Sequence, residues 1–124
     1  MTWTIWIALG SILGGLSVVC GAFGAHALRE RLSPENMAIF EIGARYQMYH
    51  AFALIAVGLI SVKIDHPALK VAGYAFFVGT LIFSGSLYIL ALSEARIWGA
   101  ITPIGGAAFI LGWAALAFAV LRPI

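Results

Sequence analysis

Apolar residues dominate four long stretches of the chain, and short polar segments separate them. The stretches cover about 2–28, 34–62, 68–92 and 98–121, and the first contains no charged side chain. At a rise of 1.5 Å per residue, each is long enough to cross the roughly 30 Å hydrocarbon core of a bilayer as an α-helix. Short connections make consecutive helices antiparallel. The pattern predicts one all-α domain, residues 1–124, that is a polytopic membrane protein built as a compact antiparallel bundle of four transmembrane helices.

The second stretch begins with a mixed segment that predicts a short interfacial lead-in helix. Ser33, Pro34 and Glu35 suit the cap, the first position and the first turn of a helix. The residues from 34 to 40 mix polar and apolar side chains, so we expect them to lie at the level of the lipid headgroups, before helix 2 enters the bilayer.

Two of the stretches carry small residues at spacings of three and four, which place them on one helical face. In the first helix the small residues are Gly10, Gly14, Ser17, Gly21 and Gly24. In the last helix they are Gly105, Ala108, Gly112 and Ala115. Small residues on one face let two membrane helices approach closely. We predict that both faces are packing seams, used inside the bundle or against a partner.

Composition excludes a soluble domain and a nucleic-acid partner. Hydrophobic residues make up 63% of the chain and charged residues only 10%, against about 25% charged in soluble domains. The net charge of +2 is dispersed and forms no dense basic cluster. The expected surroundings are therefore the lipid bilayer, and the expected protein partners are further copies of the chain or a larger membrane complex.

The start of helix 2 brings polar side chains into this apolar setting: Glu41, Arg45, Tyr46, Gln47 and His50. Polar groups are expensive to desolvate in a membrane, so neighbouring helices must supply partners for them. His50 has two interpretations. It is either a hydrogen-bonding group between helices or a group that binds a ligand or a proton.

Three further polar residues, His26, Tyr88 and Thr102, lie at the same end of an antiparallel bundle as Glu41. Together with the polar residues of helix 2, they predict one polar pocket at one leaflet. We expect this pocket to bind a lipid headgroup, a quinone or another small amphiphile. The alternative is transport of an ion or a small solute, in an oligomer.

Catalytic and cofactor motifs are missing from the sequence. There is no glycine-rich phosphate loop after a strand, no CxxC and no HExxH. His26, Glu41 and His50 are residue types that bind metals, and two histidines could hold haem, but their spacing is not diagnostic. We predict no metal site, no cofactor and no enzymatic reaction.

Basic residues are nearly balanced between the two ends of the bundle. Arg29 and Arg31 follow the first helix, and no basic residue precedes it. This favours both termini outside the cytoplasm, because positive charge is retained on the cytoplasmic side.

Four strings occur together in order: Gly21-Ala-Phe-Gly-Ala-His-Ala-Leu28, Tyr46-Gln-Met-Tyr-His50, Phe83-Ser-Gly-Ser-Leu-Tyr88 and Thr102-Pro-Ile-Gly-Gly106. They resemble a family of small bacterial inner-membrane proteins catalogued as domain of unknown function 423, which includes YgdD-like and YwdK-like proteins. The small mammalian transmembrane protein 256 looks like a distant relative. The resemblance covers essentially the whole chain. It implies four transmembrane helices and a plasma-membrane location, and it implies no activity.

Overall fold

The computed structural model describes residues 2–122, which are almost entirely helical. The first long helix consists of α1 (Thr2–Val18), a π-helical segment (Val19–Gly24) and α2 (Ala25–Leu28), which follow one another without a break. The other three long helices are α3 (Pro34–Ser61), α4 (Pro67–Ser93) and α5 (Ile97–Leu121). The all-α fold and the packed four-helix bundle are confirmed.

Helix α3 begins where the capping signal predicts. The Ser33 backbone is extended, and its hydroxyl oxygen accepts a hydrogen bond from the Asn36 backbone N–H at 3.1 Å. Pro34 follows at the first helical position, where its missing N–H is not needed. The helix then continues without interruption to Ser61. The predicted lead-in helix runs on into helix 2 and forms the first part of α3, and no proline interrupts the helix after Pro34.

The π-helical segment in the first helix was not predicted, since the sequence pattern there is that of an ordinary apolar helix. In this segment the backbone N–H of residue i+5 bonds to the carbonyl oxygen of residue i, so each turn contains about one residue more than a turn of α-helix. It carries Gly21 and Gly24, and both still face α3. A Cβ atom added at Gly21 would lie 3.6 Å from the Cβ of Ala44, and one added at Gly24 would lie 3.3 Å from the Phe40 ring.

Helices that are consecutive in the chain pack on one another in antiparallel pairs: the first helix on α3, α3 on α4, and α4 on α5. The small-residue seam of the first helix faces α3, where a Cβ added at Gly10 would lie 2.7 Å from the Ala51 carbonyl oxygen. The seam of α5 faces α4, where a Cβ added at Gly105 would lie 2.5 Å from the Phe83 backbone nitrogen. Both seams are therefore occupied inside the bundle.

Among residues 2–122, three helices are long and apolar enough to cross a membrane by length and composition alone: Thr2–Leu28, Pro67–Ser93 and Ile97–Leu121. Helix α3 is equally long, but polar side chains in its first half make it less apolar. It nevertheless runs beside the first helix along its whole length, with Gly58 against Trp3 at one end and Phe40 against Gly24 at the other. We infer that α3 spans the same depth and turns its polar side chains inward.

Candidate functional site

Among residues 2–122, most buried polar side chains lie in the middle of the bundle or toward the connections 29–33 and 94–96. They are Ser17, Gln47, His50, Thr80, Ser84 and Ser86, and only His66 is buried at the other end. Among the described residues, no fully buried side-chain nitrogen or oxygen lacks a hydrogen-bond partner. The bundle therefore meets the requirement that polar groups in lipid be paired within the protein.

Gln47, which is only 5% exposed, joins three helices through its side-chain amide. Its Nε2 donates a hydrogen bond to the Leu13 carbonyl oxygen of α1 at 2.8 Å. Its Oε1 accepts one from the Tyr88 hydroxyl of α4 at 2.7 Å. A single amide in the middle of α3 thus ties both neighbouring helices to it.

Two serine hydroxyls reinforce the same contacts from either side of α3. Ser17 of α1 donates to the Ala44 carbonyl oxygen at 2.6 Å, and Ser84 of α4 donates to the Gly43 carbonyl oxygen at 2.7 Å. Gly43 and Ala44 are both buried, and their small size lets the two neighbouring helices approach the α3 backbone closely.

A groove lies between the first helix and α4, and α3 forms its floor. The lining residues are Leu13, Leu16, Cys20, Gln47, Thr80, Leu81, Ser84, Gly85 and Tyr88. Its volume is about 260 Å³, near the lower end of small-molecule sites, which begin at roughly 300 Å³. Leu16 and Leu81 at its rim are half exposed, so the groove opens onto the lipid-facing surface.

The floor of this groove retains hydrogen-bonding capacity. A glutamine amide carries two N–H donors, and the Leu13 carbonyl takes one of those of Gln47. The Tyr88 hydroxyl donates its proton to Gln47, and its oxygen can still accept a hydrogen bond. The groove therefore offers one N–H donor, from Gln47, and the hydroxyl oxygens of Thr80, Ser84 and Tyr88 as acceptors within otherwise apolar walls. The Tyr88 hydroxyl also contacts the Cys20 thiol.

His50 belongs to a different environment, an aromatic cluster between α3, α4 and α5. The cluster consists of Tyr46, His50, Phe76, Phe83, Phe109 and Trp113. The imidazole stacks on the Phe109 ring, with 3.5 Å between ring centroids and 5° between ring planes. It is 4% exposed. The imidazole is thus enclosed by aromatic rings.

The two hydrogen bonds of His50 determine its tautomer. Nδ1 lies 2.8 Å from the Tyr46 carbonyl oxygen, which can only accept, so Nδ1 must carry the proton. Nε2 lies 3.1 Å from the Trp113 indole nitrogen, which can only donate, so Nε2 must be the acceptor. Both bonds are satisfied together only by the neutral imidazole, which then links α3 to α5.

The residues that were expected to share one pocket do not share it. Gln47 and Tyr88 meet in the groove, whereas Tyr46 and His50 face the aromatic cluster. Thr102 pairs with Ser86, their hydroxyl oxygens 2.6 Å apart, between α4 and α5.

The other three predicted residues, His26, Glu41 and Arg45, are exposed at the surface. Glu41 and Arg45 line a shallow depression of about 280 Å³ on the flank of α3. The single polar pocket is therefore corrected to a groove and a separate aromatic cluster, because α3 presents different faces to the first helix and to α5. Among residues 2–122, no group of three His, Cys, Asp or Glu residues is placed to hold a metal ion.

Sequence reasoning missed several residues at these places. Cys20, Thr80 and Gly85 line the groove, and Trp113 is the hydrogen-bond partner of His50. The spacing of Ser84 and Tyr88, one helical turn apart, is a signal that could have indicated a polar strip on α4. Trp113 gives no such signal, since it resembles any lipid-facing tryptophan in an apolar helix.

This fold, with its lipid-facing apolar exterior and paired polar interior, is that of a small multi-pass helical membrane protein. Residues 20–106 match the family model described as "Protein of unknown function (DUF423)", and the chain belongs to this family. The family and the membrane character that the four sequence strings indicated are thereby confirmed.

Relatives that align along nearly the whole chain are described as membrane proteins. A UPF0382 membrane protein of Staphylococcus epidermidis is 48% identical over 95% of this chain and 96% of its own length. One of Staphylococcus haemolyticus is 50% identical over 88% of each chain. The UPF0382 membrane protein YwdK of Bacillus subtilis is 40% identical over 95% of this chain and 97% of its own. No solved structure matches the chain.

Proposed function

We propose that the protein binds a lipid-like or quinone-like amphiphile in the groove between the first helix and α4. The polar head lies against Gln47 and Tyr88, and the apolar part follows Leu13, Leu16 and Leu81 toward the lipid. The observation that supports this is a hydrogen-bonding floor inside an apolar groove that opens onto the bilayer. The proposal is one of binding, and it includes no reaction.

The occupied seams favour a small ligand over a docked membrane protein. Gly10 and Gly105 are already in close contact with α3 and α4. Large exposed side chains such as Phe23 and Ile110 cover part of the outer surface, and they do not permit close backbone approach. A second set of small residues on the first helix, Ala8, Ser11, Gly15 and Ala22, is exposed, and it is the face on which a further copy or a larger complex would pack.

Transport of an ion or solute is the weaker alternative. A conducting path would need water or a chain of exchangeable protons beside the buried polar groups. His50 instead has both ring nitrogens engaged and is enclosed by Phe76, Phe109 and Trp113.

We also propose a plasma-membrane location with both termini outside the cytoplasm.

Two glycines allow a matched test of the ligand groove. A Cβ added at Gly85, which lines the groove, or at Gly15, which is exposed on α1, would meet nothing within 4 Å. Gly85→Leu therefore fills the groove without a clash, and Gly15→Leu adds the same bulk elsewhere. Both proteins are purified from their native membrane in mild detergent and analysed by native mass spectrometry and by mass spectrometry of the organic extract.

We expect Gly15→Leu to retain as much bound amphiphile as the wild-type protein, and Gly85→Leu to retain one molecule per chain fewer. Circular dichroism and thermal unfolding of the two variants establish that the bundle is intact. A wild-type protein that carries no bound molecule contradicts the proposal, and so does a folded Gly85→Leu protein that retains as much as Gly15→Leu.

A further inference from the structure

The positive charge of the chain is concentrated at one end of the bundle. Where α1 begins and α5 ends lie three basic residues, Lys63, Lys70 and Arg122, and one acid, Asp65. The remaining charged residues, four arginines and four glutamates, lie in the opposite half and balance one another. The formal net charge of +2 therefore arises entirely at the end that carries Lys70.

A second groove, distinct from the one with Gln47, starts at this positive end. It runs along the outer face of α4 beside α5 and has a volume of about 470 Å³. Its lining is Val71, Tyr74, Ala75 and Val78 of α4 with Ala108 and Leu111 of α5, and Lys70 stands at its mouth. An apolar groove with a single cation at one end has the polarity of a lipid molecule.

The length of this groove matches one leaflet. Lys70 lies in the first turns of α4, close to the helix start at Pro67. Val78 is eight residues farther along, or roughly 12 Å at 1.5 Å per residue. Half of the hydrocarbon core is roughly 15 Å. The groove therefore extends from the headgroup level almost to the middle of the bilayer, as an acyl chain does.

The surroundings of Lys70 suit a headgroup. Lys70 also lines a small cleft of about 70 Å³ together with Ser61, Asp65 and His66. The Lys70 ammonium group and the imidazole of His66, whose Nδ1 accepts from the Ala68 N–H, can donate to phosphate oxygens, whereas the Ser61 hydroxyl already donates to the Val57 carbonyl oxygen. Asp65 disfavours an anion in the cleft itself, which leaves the phosphate on the groove side of Lys70, while Lys63 and Arg122 maintain the positive surplus at this end.

We propose that the groove between α4 and α5 is a binding site for an anionic glycerophospholipid. One acyl chain lies along Val71, Ala75 and Val78, and the phosphate pairs with the Lys70 ammonium group. An anionic lipid is preferred over a zwitterionic one because the latter carries its own cation, which the positive end of the bundle repels. This site is independent of the amphiphile groove at Gln47.

The test compares lipid binding by the intact protein and three variants. Protein in detergent is mixed with equal amounts of dioleoyl phosphatidylglycerol and dioleoyl phosphatidylcholine, and bound lipids are counted by native mass spectrometry. We expect the wild-type protein to retain phosphatidylglycerol about fivefold over phosphatidylcholine, the preference that one lysine at a membrane surface supplies. Lys70→Ala brings the ratio close to one. Lys63→Ala, which removes the same charge at the same end, leaves it largely unchanged.

Val78→Trp tests the tail groove, since the indole fills the space that the acyl chain needs, and we expect it to reduce phosphatidylglycerol retention. If Lys70→Ala and Lys63→Ala reduce the preference for phosphatidylglycerol equally, the proposal is overturned, because the lipid is then attracted by the general positive charge of this end and not by Lys70. Unchanged retention in Val78→Trp overturns the placement of the chain. Displacement of the lipid by millimolar inorganic phosphate overturns the choice of ligand, because it indicates a site for the free anion.

Discussion

Individual buried side chains link neighbouring helices of this bundle, and each does so through one or two hydrogen bonds. His50 is the clearest case, because its two ring nitrogens face an obligate acceptor and an obligate donor on different helices. Gln47 works in the same way toward the first helix and α4. Such bonds are worth only about 0.6–1.7 kcal/mol each in a membrane, so the arrangement depends on several of them together.

Trp113→Phe should destabilise the protein by about 0.6–1.7 kcal/mol. The phenyl ring keeps much of the packing in the aromatic cluster, but it cannot donate to Nε2 of His50. The free energy of unfolding is measured in mixed micelles with increasing dodecyl sulfate. Trp98→Phe, at the start of α5, is the control. A cost no larger than that of the control would show that the indole–imidazole bond contributes nothing.

Tyr88→Phe should weaken retention of the groove ligand several-fold while the bundle stays folded. The substitution removes the hydroxyl that donates to Oε1 of Gln47, so the Gln47 amide is free to rotate away from its position in the groove floor. Tyr49→Phe is the matched control, because Tyr49 lies outside both grooves and its ring contacts Tyr46. Bound amphiphile is quantified in the organic extract of each purified protein. Equal retention by both variants would remove Tyr88 from the site.

The elements themselves were predictable, because polar breaks and capping residues mark their ends. Ser33-Pro34 starts α3 as expected, and the small-residue spacings indicated the faces that pack. The π-helical segment was not predictable, since the glycines within it fit an α-helix equally well. Nor could periodicity give the rotation of α3 relative to its neighbours. Gln47 and His50 are one turn apart in sequence, and yet they contact different helices.

Two adjacent glycines test the packing seam between α4 and α5. A Cβ added at Gly105 would lie 2.5 Å from the Phe83 backbone nitrogen, whereas one added at Gly106 would have only the Phe83 ring at 4.0 Å. Gly105→Ala should lower the free energy of unfolding by about 1–3 kcal/mol, because the Phe83 backbone cannot move aside as a flexible side chain can. Gly106→Ala should be neutral or slightly stabilising, since alanine favours helix. Thermal unfolding in detergent compares the two, and similar midpoints would contradict the close contact.

The whole molecule is polarised along its length. The end with the connections 29–33 and 94–96 carries a balanced set of charges, the opposite end carries the net positive charge, and most buried polar side chains lie in the middle or toward the balanced end. The two grooves follow this division: the one at Gln47 has its polar groups in its floor, and the one at Lys70 has its charge at its mouth. The sequence indicated a polar end, but its division into separate sites depends on which helix each side chain faces.

Orientation in the membrane is the property that belongs to the whole chain, and the basic residues make it testable. Arg29, Arg31, Arg45 and Arg96 lie in one half, against Lys63, Lys70 and Arg122 in the other. This small excess, with two arginines directly after the first helix, should hold the 29–33 connection in the cytoplasm. Alkaline phosphatase fused after residue 124 should then be active, and a fluorescent protein fused there should be dark.

Arg29→Gln with Arg31→Gln reverses the bias, because two arginines then face three basic residues at the other end. We expect the phosphatase fusion to lose activity and the fluorescent fusion to gain signal in this double variant. Lys63→Gln with Lys70→Gln is the matched control and should strengthen the wild-type pattern, because it removes charge from the other side. If the fluorescent fusion is bright in the wild type, the termini lie in the cytoplasm and the charge excess does not orient the bundle. Fusions at the two termini that report opposite sides would mean that α3 does not cross, against its antiparallel packing along the first helix.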